Sequence, residues 1–589
     1  MRYRYTASWS VTTPFDAPIA IFLLTALIGV WASYNRSGAW ALFWQLVGAA
    51  ALFYAFANTQ VLYGNRAALV HRWLLTLFGL AVAVYFAVTH DWAASPTQYP
   101  MLDNIGQALQ RPLPDVPGHR LNPNVAGGLM AMMLPFMVAN WQATRGTGDL
   151  FLPAAALGSI LVVLVGLSLS ASLGAWIGVA GAMMMVGWWR LARVLAPSRR
   201  YHMRVLFGGI AAAAIVLWFL LVLQFPTLQG WLEDLMGGGH AGQLDRLALV
   251  ERGLILAADY PIVGAGLGSF MMLDASYALL THVGFAIHSH NLYLDVAVQQ
   301  GLLGLLALVW MWLLVGEAVW RAGQVKRVKR RHSERSTLAK AERSTHSGPV
   351  QRRLLFAAGL SLAVVLVHSL FDDILYGSRG ALLLFLPLAF AVPSLQRASS
   401  DGHRGRIKTI AALVAIGLLL LVLFRGSLLS RWHSNLAAVR QSRLELSVYD
   451  WPEWPVQDAV RRELDLQPIV RGYERALRAD PSNASAARRL GQIELSLGRY
   501  SAALQHLQQA YRVTPDNRTV WQLLGEAYAL NEQPAQAVQL WSVVENDQNQ
   551  LQIRIAWYES LGENLTATRL RQLAQASRQQ VLEDDRRVD

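Results

Sequence analysis

The stretch His288-Ser-His290-Asn291-Leu-Tyr-Leu-Asp-Val-Ala-Val-Gln-Gln-Gly301-Leu-Leu-Gly304 runs polar, titratable residues straight into an apolar segment that continues to about residue 318. Roughly 20 consecutive apolar residues let an α-helix cross the hydrocarbon core of a bilayer, so this segment reads as a membrane span with imidazoles at its mouth. A group placed there can meet a lipid-borne substrate at headgroup level, and histidine is the side chain whose ordinary pKa lies nearest neutrality. Composition points the same way. Hydrophobic residues make up 54% of the 589, charged residues only 15%, and 21 are tryptophan. With a mean hydropathy of +0.30, the chain is too apolar for a soluble protein and reads as a polytopic membrane protein. The absence of cysteine excludes disulfides, cysteine zinc sites and thiol nucleophiles together.

A net charge of +13 would in a soluble chain point to nucleic acid. Here much of the charge lies between apolar segments. Residues 321 to 353 carry eleven Arg and Lys residues against only Glu334 and Glu342, which reads as a positive-inside loop and leaves no case for a nucleic-acid partner. About eleven candidate spans centre near residues 17–34, 39–57, 71–89, 123–142, 151–169, 172–190, 205–224, 291–318, 354–370, 380–396 and 409–425. With the N-terminus cytoplasmic, the basic connections 190–204, 321–353 and 397–408 all fall inside, while the long connections 90–122 and 225–290 fall outside. A signal peptide is the alternative for the first segment. The run is long for one and another apolar segment follows at once, so it reads as an uncleaved span. The expected fold is all-α: a membrane helical bundle over 1–425 and a polar helical unit over 426–589.

That C-terminal unit contains a repeat of period 34. Leu490-Gly491 recurs as Leu524-Gly525, Ala503 as Ala537 and Leu507 as Trp541. The period and its small residues resemble tetratricopeptide repeats, with Tyr500, Tyr528 and Pro515 at aromatic and helix-ending positions. The segments 468–481 and 551–578 read as partial or capping helices, and a plain helical bundle is the alternative. The topology puts this unit outside the cytoplasm, where a stacked-helix groove would suit an acceptor or a protein partner.

The connection 225–290 is dense in ionisable groups: Glu233, Asp234, His240, Asp245, Arg246, Glu251, Arg252, Asp259, Asp274, His282, His288 and His290. Within it, 245–259 has helical apolar spacing and reads as an amphipathic helix at the membrane surface, stopped by Pro261. Gly264-Ala-Gly266-Leu-Gly268 superficially matches a dinucleotide loop, but no strand precedes it and no βαβ unit surrounds it.

In order along the chain, four stretches resemble the O-antigen ligase and polymerase superfamily. They are Asn122-Pro-Asn124-Val-Ala-Gly-Gly-Leu, the Asp259-Tyr-Pro-Ile-Val-Gly-Ala-Gly-Leu-Gly-Ser-Phe270 region, His290-Asn291 with a nine-residue spacer before Gly301 and then Gly304, and His368-Ser-Leu-Phe-Asp372-Asp373. The resemblance covers roughly residues 15–425. It implies a metal-independent, inverting glycosyltransferase without a cofactor, whose donor is a glycan on undecaprenyl diphosphate and whose acceptor is a lipid, a sugar or a protein at the outer face of a bacterial inner membrane. Arg246 matches the family's loop arginine and is the expected diphosphate clamp, because fixed guanidinium groups stabilise a departing polyanion where water is scarce. Arg252 would support it, His290 would act as base on the acceptor hydroxyl or hold the phosphate, and Asn291 would orient His290. Without the family match, a lone interfacial histidine reads as a hydrogen-bonded helix cap.

One position departs from the pattern. Where the family often carries arginine in a Ser-Arg-Gly context, this chain has Ser172-Leu173-Gly174, and leucine cannot clamp a phosphate. Either another cation takes its place, with Arg379 in Ser378-Arg379-Gly380 the candidate, or donor handling differs from that of the better-known ligases. A divalent metal held by His282, His288 and His290 with Asp274, or by Asp372-Asp373, is an alternative, although adjacent carboxylates on a helix rarely serve one ion, and the two aspartates read instead as pairing with Arg379 or orienting His290. A lipid-linked glycan transporter and a non-catalytic scaffold are the rivals from other classes. A transporter would carry a clear internal repeat or charges at span centres, and the chain shows neither clearly.

Overall fold

The computed structural model describes residues 10–97, 99–112, 120–145, 148–195, 246–281, 284, 286–332, 349–377, 379–396, 424–450, 454–542, 544 and 547–588. Of these, 188–195, 247, 323–332, 379, 547–549 and 581–588 are described by backbone alone. Among the described residues every regular element is helical and there is no strand, as the all-α reading expects.

Among the described residues, the longer helices of the membrane half are α1 (Asp16–Ala32), α2 (Arg36–Tyr63), α3 (Asn65–Thr89), α4 (Pro100–Gln110), α5 (Pro123–Thr144), α6 (Phe151–Leu169), α7 (Leu173–Leu195), α8 (Arg246–Asp259), α9 (Leu292–His332) and α10 (Pro349–His368). Among the described residues, α2, α3, α6, α10 and the Leu292–Ala322 part of α9 are long and apolar enough to cross a membrane. The span expected near 205–224 lies outside the described residues, as does the one near 409–425 apart from its last two residues, Phe424 and Arg425. Glu233, Asp234, His240, Asp245 and His282 lie outside them too. The span expected at 380–396 is an apolar helical stretch, Gly380–Gln396, but an interrupted one. It is broken into Arg379–Leu383, Leu386–Ala389 and Val392–Gln396, because Pro387 and Pro393 each restart a short helix and cannot continue the one before.

Helix α5 is the hub of the bundle, packing against α3, α6, α7 and α10. Small residues let it be approached from several sides: Gly79 of α3 faces Met133 and Met137, and Gly166 of α6 faces Met130. The inward faces share one apolar core, while large side chains such as Leu24, Leu77, Leu161, Leu306 and Leu313 point outward and exposed, as a lipid-facing surface requires. Helix α9 carries His290 just before its start. Helix α10 returns, and Leu292 N–H donates to Ser369 O at 3.2 Å, which joins the start of α9 to the end of α10.

Helix α9 breaks at Gly301, with φ 73° and ψ −177°. The break leaves carbonyls without helical partners, and the glycine-rich loop takes them: Ala265 N–H donates to Val298 O at 2.7 Å and Gly266 N–H to Gln299 O at 3.2 Å. From the other side Leu302 N–H donates to Pro261 O at 2.9 Å. A Cβ on Gly301 would lie 2.4 Å from Ile262 O, and one on Gly266 2.3 Å from the Ser33 backbone, so both positions exclude a side chain. The glycine run is therefore a suture between backbone segments, and the reading against a dinucleotide loop agrees with it.

The C-terminal half continues with α11 (Arg425–Glu445), α12 (Gln457–Glu463), α13 (Gln467–Ala479), α14 (Ala484–Ser496), α15 (Tyr500–Val513), α16 (Arg518–Leu530), α17 (Pro534–Trp541), α18 (Asp547–Ser560) and α19 (Asn564–Val588). The 34-residue repeat has a direct physical basis. Asn483 caps α14 by accepting from Ala486 N–H at 3.0 Å, and Asn517 caps α16 by accepting from Val520 N–H at 3.2 Å. Gly491 makes room for Leu507 and Gly525 for Trp541, where an added Cβ would come within 2.6 and 2.2 Å respectively.

Candidate functional site

The site forms where the loop before α9 meets the turn after α10. Helix α8 forms as the apolar spacing of 245–259 predicts, but it is not an open surface helix: Leu249, Leu256 and Tyr260 are buried in a core shared with Ala437, Ala438 and Leu490 of the repeat half. Asn291 caps α9, its Oδ1 accepting from Tyr293 N–H at 3.0 Å and Leu294 N–H at 3.1 Å. His290 sits immediately before this cap in the left-handed region, at φ 53°. A non-glycine residue held there is strained by roughly 1–2 kcal/mol, and such strain recurs at functional sites. The surrounding bonds hold it: His290 N–H donates to His288 Nδ1 at 3.2 Å, Ser289 Oγ to Asn291 O at 3.0 Å, and Ser289 N–H to the buried Asp295 at 2.9 Å.

Three of the predicted residues converge on three consecutive residues of the opposite turn. Asn291 Nδ2 reaches Leu370 O at 3.5 Å, Arg246 Nη1 donates to Phe371 O at 3.4 Å, and His290 Nδ1 lies 3.0 Å from Asp372 Oδ1. Burial works to raise the Asp372 carboxyl, but its hydrogen bond from His290 and the neighbouring imidazoles override this and hold it at about 2. Asp372 is thus ionised and can only accept, so Nδ1 of His290 is the protonated nitrogen and Nε2 is left with a lone pair in the neutral ring. The adjacent carboxylate does different work. Asp373 accepts from the backbone N–H groups of Leu375 at 3.0 Å and Tyr376 at 2.8 Å, which closes the turn. Burial, with His290 and Arg246 nearby, pushes the His288 imidazole down to about 4 despite the opposing pull of Asp372, so it is neutral and able to accept through Nδ1.

Arg252 is placed apart from this group. Its Nε donates to Asp274 Oδ1 at 2.8 Å in a pair whose side chains are 12% and 1% exposed. Burial pushes the Asp274 carboxyl up and Arg252 pulls against it. Arg379 lies in the short turn Arg379–Leu383, and its side chain lies outside the described residues. Leu173 begins α7. The early and late stretches nevertheless meet: an added Cβ on Gly128 would lie 3.0 Å from His368 Nε2, and one on Gly174 of α7 3.6 Å from it, so the early stretch, the start of α7 and the late stretch close around one buried histidine. Sequence reasoning missed His288 and Ser289 as supports of the His290 turn, because hydrogen bonds of a left-handed turn leave no periodic signal. His288, His290 and Asp372 each offer one ligand atom within 4.8 Å of the others, so among the described residues this trio, rather than Asp372-Asp373, is the arrangement that could hold a cation.

Residues 157–309 match the O-antigen ligase family model, a range that takes in Arg246, His290, Asn291, Gly301 and Gly304. Residues 471–518 and 494–544 match the tetratricopeptide repeat model. No curated protein and no solved structure gives a significant match. The chain is therefore a multi-pass membrane protein in which a region matching the O-antigen ligase model is followed by tetratricopeptide repeats, and this match supports a glycan transfer of the O-antigen ligase type at a membrane.

Proposed function

We propose that this protein is a glycosyltransferase of the bacterial inner membrane that moves glycan from undecaprenyl diphosphate onto a lipid, sugar or protein acceptor at the outer face. In this reading the N-terminus is cytoplasmic, residues 1–425 form the membrane domain and residues 426–589 lie outside the cytoplasm. The observation that carries the proposal is the His290–Asp372 pair, 3.0 Å between Nδ1 and Oδ1, beside the Arg246 guanidinium. Nε2 of His290 takes the proton of the acceptor hydroxyl, and the acceptor oxygen attacks the anomeric carbon from the face opposite the diphosphate. The bond from that carbon to the diphosphate oxygen breaks, the anomeric configuration inverts, and undecaprenyl diphosphate leaves. Asp372 stabilises the imidazolium that forms, and Arg246 the charge that develops on the leaving group. No step requires a metal, and Asn291 acts by fixing the start of α9 and hence His290. Arg252 contributes by tying α8 to Asp274.

The test is to incubate purified protein with a defined undecaprenyl-diphosphate oligosaccharide, with and without chelator, and to weigh the products. A ladder identifies a polymerase, and a single transfer to a distinct acceptor a ligase. Loss of transfer in chelator would assign the His288, His290 and Asp372 trio to a cation instead. No transfer at all from folded protein would overturn the proposal.

A further inference from the structure

Tetratricopeptide stacks hold ligands in the groove lined by the first helix of each repeat, and here that groove is occupied by the chain's own connection. On α14, Arg488 Nη1 donates to Tyr277 O at 3.0 Å and Gln492 Nε2 to Ser276 O at 3.4 Å. On α16, Thr519 Oγ1 donates to Ala278 O at 2.8 Å. Leu280, itself at φ 55°, reaches the space lined by Gln522, Glu526, Ile553 and Arg554 and packs on the apolar core of the later repeats. The spacing of 488 and 492, 522 and 526, and 550 and 554 puts these residues on one face of each of three helices.

A second set of contacts reaches the site itself. Asp259, the last residue of α8, is buried and bonded by Ser485 and Arg488, and Arg489 Nε donates to it at 2.9 Å. Arg489 also lies over the Tyr277 ring at 4.1 Å. At the neighbouring turn, Ile262 N–H and Val263 N–H both donate to Asn435 Oδ1 at 2.9 Å. The end of the helix that bears Arg246 and Arg252, and the loop that follows it, are therefore gripped by repeat-half side chains.

We propose that the repeat domain is a clamp acting in cis: its groove binds residues 274–281 of the same chain, and Arg488 and Arg489, through Asp259, are positioning residues for the helix that carries Arg246. The second part rests on the glycosyltransferase reading, while the first does not. A protein or glycan partner cannot then enter this groove without displacing the connection.

Because the chain contains no cysteine, the test is direct. The Ala278→Cys, Thr519→Cys pair should cross-link within one chain on mild oxidation of the full-length protein in native membranes, and the cross-linked protein should be no less active in transfer than its reduced form. Failure to cross-link, or activity lost on cross-linking and restored by reductant, would overturn the clamp. Arg488→Gln should speed amide exchange across residues 246–259 about tenfold and weaken binding of undecaprenyl diphosphate, with Arg488→Lys recovering part of both. Unchanged exchange in a folded Arg488→Gln protein would remove its positioning role. If neither wild type nor variant bound undecaprenyl diphosphate, the reaction assignment would fail while cross-linking and exchange still decided the clamp.

Discussion

Replacing Asp372 with asparagine keeps the shape of the side chain and removes its charge, which isolates what the charge contributes. Its carboxylate is nearly buried, ionised, and 3.0 Å from His290 Nδ1, and its Oδ1 also accepts from Asp373 N–H at 2.9 Å. A hydrogen bond to a charged group contributes about 1.5–3 kcal/mol. At 1.36 kcal/mol per decade, losing that support for the imidazolium lowers kcat/KM by about 10- to 150-fold. The imidazolium exists only once the acceptor proton has moved, so the loss should fall on kcat with KM little changed. The measurement is transfer from a defined undecaprenyl-diphosphate oligosaccharide, quantified by mass spectrometry on Asp372→Asn protein whose Tm matches wild type. A variant within about twofold of wild type in kcat/KM would refute the pairing as a catalytic device.

His288 has a folded pKa of about 4 against an ordinary 6.5, so the opened turn binds more protons; the stabilisation is complete above pH 6.5 and is lost as pH falls toward 4. That amounts to on the order of 3 kcal/mol at the 288–290 turn, and amide exchange there should rise across this window once corrected for intrinsic rates. Arg252→Gln leaves Asp274 buried without its cation and should cost about 3–5 kcal/mol, read as a lower Tm in detergent, with an unchanged Tm counting against the ion pair. Gly301→Ala forces a side chain to 2.4 Å from Ile262 O and should sharply reduce the yield of folded protein, whereas normal yield and Tm would mean that the suture yields easily.

Much of the site was legible from local spacing. His290 with Asn291 at the mouth of a span marked one side, and α8 was readable from its apolar period with Pro261 as its stop. The pairing of His290 with Asp372 spans 82 residues and depends on α10 returning beside α9, which no local pattern encodes. Arg246 and Arg252 stand six residues apart on one helix, the first expected as the clamp and the second as its support. The packing parts them, sending one to the Phe371 carbonyl and the other to buried Asp274. The span at 380–396 is interrupted where a continuous one was expected, because apolar composition outweighed Pro387 and Pro393 in the reading.

By itself the sequence determined the solvent, the helical class and the repeat, because each follows from short-range rules. Apolar run length selects lipid, helical period selects helix, and a 34-residue recurrence of small residues and caps selects stacked helix pairs. Tertiary structure alone decided which residues meet. The groove that a repeat sequence advertises to a partner is filled by the chain's own residues 274–281, since the Asp259 carboxylate and the two arginines that bury it lie about 230 residues apart and find each other only when both halves are folded.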